Sequence, residues 1–171
     1  MISSANKNQE EGVSIIEILV VCAILIIGFT AISGLTTLSL KILNSVKETE
    51  QANFFAKEIM EQVRNFRDGI PWNQDDPENK YDGLGKAALE TAYHLEKSTD
   101  ALPKWQLLQG EENLGSGFSR KVIFGEVWRN NVTDNIESPG DYLDPDTKKA
   151  TTTVSWKDKK IELVTYFTNW K

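Results

Sequence analysis

Cysteine is almost missing from this chain. Cys22 stands alone among 171 residues, so no disulfide can form within the chain and the fold must rest on its apolar core. Histidine is as scarce. His94 is the single one, which leaves almost no material for a His-based metal centre or a catalytic triad. No glycine-rich phosphate loop, serine nucleophile motif or spaced zinc-ligand set occurs, so nothing in the sequence points to an enzyme. Positive charge is in deficit as well. Lys and Arg number 19 against 25 Asp and Glu, a net charge of −6, whereas bulk nucleic-acid binding wants a basic face. Proline and glycine are both absent between Leu35 and Asp68.

What is present is a long apolar run. From Ile18 to Leu40 no charged residue occurs. A helix over that run reaches about 34 Å at about 1.5 Å per residue, enough for a hydrocarbon core of about 30 Å. The residues are apolar all round rather than along one stripe, as suits lipid on every side. A cleavable secretory signal would have a shorter apolar region, and a buried core helix of this length without charge is rare in a small soluble domain. The exception to the apolar rule is Glu17, at the head of the run within Gly12-Val13-Ser14-Ile15-Ile16-Glu17-Ile18-Leu19-Val20. A carboxylate inside a membrane segment costs about 2.5–3.5 kcal/mol at the bilayer centre, less near its edge, and by default has a function and a partner.

This segment resembles the processing site of type IV prepilins and type II secretion pseudopilins: a glycine, an apolar first residue, a glutamate fifth in the mature chain, then an apolar helix. The resemblance implies a leader at residues 1–12, cleavage between Gly12 and Val13 by a prepilin peptidase, and N-methylation of Val13. Gly12 suits a tight protease site, having no side chain. The resemblance further implies that Glu17 of one subunit pairs with the Val13 amine of its neighbour, which stays cationic after methylation. Pairing offsets the desolvation of both ions and sets the axial register. Implied partners are the peptidase, other pilin subunits, a membrane assembly platform with its ATPase, and the bilayer. The implied location is the inner membrane, spanned once with the globular domain outside the cytoplasm, followed by an extracellular or periplasmic filament. Orientation follows from the resemblance, because Lys7 against Glu10 and Glu11, then Lys41 and Lys47, give no positive-inside bias.

Beyond Leu40 the pattern changes. Ala52, Phe55, Ala56, Ile59, Val63 and Phe66 recur in steps of three and four among charged residues, which predicts an amphipathic continuation of the same helix whose apolar face holds a sheet. The helix therefore divides into a membrane or filament-core half, 13–40, and an amphipathic half, 41–68, stopped by Gly69 and Pro71. Residues 69–171 form the globular part. An irregular connection with a short helical piece at Lys86–Ala92 precedes strands at Tyr93–Lys97, Trp105–Leu108, Phe118–Asn130, Thr151–Trp156 and Ile161–Tyr166. Val122, Phe124 and Trp128 fall on even steps, Asn131–Asp146 reads as a loop, and Lys157–Lys160 as a hairpin turn. The expectation is an α+β fold, type IV pilin-like, with a long N-terminal helix packed on a C-terminal antiparallel sheet.

The stretches Thr153–Trp156, Thr165–Trp170 and Glu61–Asp68 resemble the minor pilins, a looser likeness than that of residues 12–40. The expected function is a minor pilin or pseudopilin subunit of a type IV pilus or type II secretion-like filament. The alternative is a single-span, membrane-tethered binding or sensor domain that does not polymerise. No cofactor is expected. Two acidic groups, Asp75, Asp76, Glu78, Asn79 and Asp82, then Asp134, Glu137, Asp141, Asp144 and Asp146, offer oxygen ligands for loop calcium, but neither has EF-hand spacing, and solvated loops are the simpler reading. His94 reads as structural or exposed, Cys22 as a small apolar residue, and the five tryptophans as packing residues, an exposed Trp72 or Trp170 being the first candidate for a subunit contact.

Overall fold

A computed structural model describes residues 14–78 and 81–170. One long helix, α1, runs Ile15–Gly69 and is followed by an antiparallel sheet, an α+β layout. The chain divides into two compact units, one ending at Lys47 and the other beginning at Glu48.

In the first unit the helix is capped by Ser14, whose carbonyl accepts the Ile18 N–H at 3.3 Å and the Glu17 N–H at 3.0 Å. Ser14 and Glu17 thus stand at the N-cap and N3 positions, where serine and glutamate favour helix initiation. This helix is long and apolar enough to cross a membrane, and none of its most apolar stretch is buried within the chain. The hydroxyls of Thr30, Thr36 and Thr37 donate to the carbonyls of Ile27, Ile32 and Ser33 at 2.9–3.0 Å. Each would be costly to place in hydrocarbon unbonded, and each is satisfied inside the helix.

The second unit holds the sheet. Its strands are β1 (Ala92–Lys97), β2 (Trp105–Gln109), β3 (Glu112–Gly115), β4 (Phe118–Gly125), β7 (Thr147–Trp156) and β8 (Lys159–Thr168), in the order β2-β1-β4-β7-β8, with β3 also on β4. A two-stranded ribbon joins β5 (Trp128–Arg129) to β6 (Tyr142–Leu143). The period-two alternation of β4 sends Phe118, Arg120, Val122 and Phe124 to one face, and all four are buried. The expected helical stripe meets them. Ile59, Met60, Val63 and Phe66 pack with Val122, Phe124, Leu95, Ala150 and Phe167, while Ala52 and Ala56 pack with Phe118, Val154 and Trp156. Burial of Ile59, Val63 or Phe66 is worth about 1.5–3 kcal/mol each. Phe55, at the stripe's edge, is half-buried and meets Phe118 edge-on at 5.5 Å.

Several local expectations are corrected. The helical piece at Lys86–Ala92 is a single 3-10 turn, Leu84–Lys86, because Glu90 adopts φ +55° and its N–H turns to the Phe124 carbonyl. The strand expected over Phe118–Asn130 breaks after Gly125. Parity then shifts, so Val127 goes inward and Trp128, expected on the inner face, is 40% exposed. The loop expected at Asn131–Asp146 contains β6 and a further bridge from Arg129 to Ile136. The terminal hairpin is longer than its apolar runs suggest. Thr147–Trp156 and Lys159–Thr168 pair along their whole length, which reduces the turn to Lys157-Asp158.

Candidate assembly segment and acidic loops

Of the residues expected to carry function, Gly12 and Val13 lie outside the described residues. Glu17 is described. It sits in the first turn of α1, solvent-exposed, among exposed Ile15, Ile16, Ile18 and Leu19. The positive end of the helix dipole favours a carboxylate there by about 0.3–1 kcal/mol at an exposed position. Among the described residues no side chain pairs with it. A charged group ringed by isoleucine and leucine is tolerated in water, but in an apolar medium it requires an opposite charge. Cys22 lies on the same exposed helix as a free thiol.

The acidic residues are engaged within their own loops. In the first group Asp82 accepts the Asp76 N–H at 2.6 Å, Asp76 accepts the Tyr81 N–H at 3.2 Å, and Asp75 faces Lys86 at 3.6 Å. Asn79 lies outside the described residues. The second group is organised by Arg129. Its guanidinium donates to Asp144 at 2.6 Å and to the Asp134 carbonyl at 2.7 Å. Asp134 also accepts the Tyr142 hydroxyl, Asp141 the Asn131 N–H, Glu137 the Asn130 amide and Asp146 the Asn169 amide. Burial raises the Asp144 carboxyl, but hydrogen bonds from Thr147 and Arg129 outweigh it and hold the group below its ordinary range. Among the described residues no cluster of three or more His, Cys, Asp or Glu is arranged to hold a metal.

Trp72 is buried at 7% exposure beneath the Gly83–Gly85 turn, as a packing residue, whereas Trp170 is 67% exposed and is the one of the two left as a candidate for a subunit contact. Trp156 is buried and stacks on Phe118, and Trp105 is half-buried under the Lys97 ammonium. His94 is half-buried, 3.5 Å from Glu96 and 3.4 Å from the Gly110 carbonyl.

Arg120 was not anticipated as important. It points from β4 into the core face, donating to Glu58 on α1 at 2.8 Å and to Glu112 on β3 at 2.6 Å. The available signal was its parity: a basic residue on the even, apolar side of β4 demands an acid within reach.

No protein-family model, no curated protein and no solved structure matches this chain.

Proposed function

We propose that the chain is a minor pilin or pseudopilin subunit, processed after Gly12 and assembled through its apolar helix into a filament of the type IV pilus or type II secretion class. One observation carries this reading. Glu17 is an exposed carboxylate at the head of the exposed apolar stretch of α1, without a pairing side chain among the described residues. In the membrane the helix is solvated by lipid. In a filament, neighbouring copies replace lipid, and the amine of a neighbour's Val13 supplies the charge that Glu17 requires. The globular part keeps its own core, so subunits can be drawn from the bilayer without unfolding. In this reading the protein acts as a structural subunit, with no catalysis and no cofactor.

Substituting Glu17→Ala tests it. The variant should insert in the membrane and be cleaved as the wild type is, yet be missing from sheared filament fractions. Incorporation at wild-type levels would contradict the pairing role.

A further inference from the structure

A cavity of about 480 Å³ lies where α1 ends and the C-terminal strand passes it, within the second unit. That volume falls in the range of small-ligand sites, about 300–1,000 Å³. The residues that line it include Trp72 and Trp170, Asn73 and Asn169, and the pair Arg67 and Asp68.

The charges in the cavity cancel. Arg67 Nε and Nη2 lie 2.9 and 2.8 Å from the Asp68 carboxylate, and no other ionisable residue lines the space. An anionic ligand would meet a guanidinium already neutralised. A cationic ligand seeking the aromatic faces would meet the same guanidinium, which sits 5.4 Å from the Phe167 ring centre and 5.8 Å from that of Trp170. A purely apolar ligand would cover Asn73, and the part of the Asn169 amide not bonded to Asp146, without giving them hydrogen-bond partners. What remains is a neutral molecule with an apolar face and a hydroxyl-bearing rim.

Position is fixed as well as chemistry. The Asn169 N–H donates to the Asp146 carbonyl at 2.7 Å and its amide to the Asp146 carboxylate at 2.9 Å. This holds the strand end that carries Trp170, which is 67% exposed.

We infer that this cavity is a saccharide-binding site: a neutral sugar ring lies on the Trp170 indole, and its hydroxyls bond to the Asn73 and Asn169 amides. The site is built entirely within the second unit and does not depend on whether the chain polymerises.

The test uses the full chain in a detergent without a sugar headgroup, titrated with neutral oligosaccharides of gluco, galacto, manno and N-acetylated types while tryptophan fluorescence is followed. At least one type should bind with millimolar or tighter affinity, independent of salt. Trp170→Ala should weaken it about tenfold or more and Asn73→Ala should weaken it too, with far-ultraviolet circular dichroism unchanged in both. Trp128→Ala, outside the cavity, should bind as the wild type does. No binding across the panel up to about 10 mM, or binding unaffected by Trp170→Ala, would overturn the assignment. None of these outcomes depends on filament assembly, so failure here and failure of the filament reading are separable.

Discussion

Arg120 and Glu58 are 62 residues apart in sequence, yet their side chains form an ion pair at 2.8 Å that ties the helix to the central strand of the sheet. The arginine side chain is 4% exposed, the glutamate 42%, and the second partner Glu112 25%. That asymmetry sets the expected mutational ranking. Replacing Arg120 with Met leaves two partly exposed carboxylates that can hydrate and puts an apolar chain in an apolar place, so it should cost less than stripping the buried cation of both its anions. Removing both acids leaves a buried guanidinium without its anions and should cost about 3–5 kcal/mol. Urea unfolding of R120M and of the double variant E58Q/E112Q, followed by the fluorescence of buried Trp156, checks this. An Arg120→Met loss larger than that of the double variant would show that the cation itself, not its pairing, stabilises the joint.

The Arg129 loop should be acid-sensitive. Asp144 has an ordinary value of 3.8 and is held below it when folded, with burial opposing and the Thr147 and Arg129 hydrogen bonds prevailing. A lowered carboxyl stabilises the fold above its unfolded pKa, and that contribution is lost as pH falls through the lower folded value. The Asp146 N–H donates to Asp144 at 2.9 Å and therefore reports the change. Its amide resonance should titrate with a midpoint below 3.8, and Asp144→Asn should abolish that titration. A midpoint at or above the ordinary value would contradict the pairing.

Gly83 should be intolerant of any side chain. A methyl added there would lie 2.1 Å from the Pro71 carbonyl oxygen and 2.2 Å from that of Trp72. Both are backbone atoms, so no rotamer change relieves the clash. Gly83→Ala should cost about 3 kcal/mol, whereas Gly69→Ala, with nothing within 4 Å, should cost nothing measurable. Thermal unfolding of the two variants compares them directly.

Much of this architecture is written locally in the sequence. The Ala52–Phe66 stripe and the alternation of β4 and β7 are strong because burial on one face repeats at a fixed period. The charge-free run from Ile18 is legible for the same reason, since length and composition alone determine whether a helix can span hydrocarbon. Non-local features were hidden. Strand β3, Glu-Asn-Leu-Gly, has no apolar alternation and exists because β4 offers it an edge. Trp72 has polar neighbours in sequence, and what buries it is distant: Gly83 and Gly85 bring the chain back over it. The break at Gly125-Glu126 reverses the parity that would have placed Trp128 inside. Of the candidate site, Glu17 was identifiable from its apolar context, while the cavity beside Trp170 requires the helix end and the last strand to converge, which no local pattern encodes.

The most direct measurement is the mass of the N-terminal peptide from protein isolated out of membranes of a cell that makes an active prepilin peptidase. A chain starting at Val13, heavier by one methyl group on its amine, is the predicted result. A chain that still carries Met1–Gly12 under those conditions would contradict the account, because the cation proposed to neutralise Glu17 would never be generated.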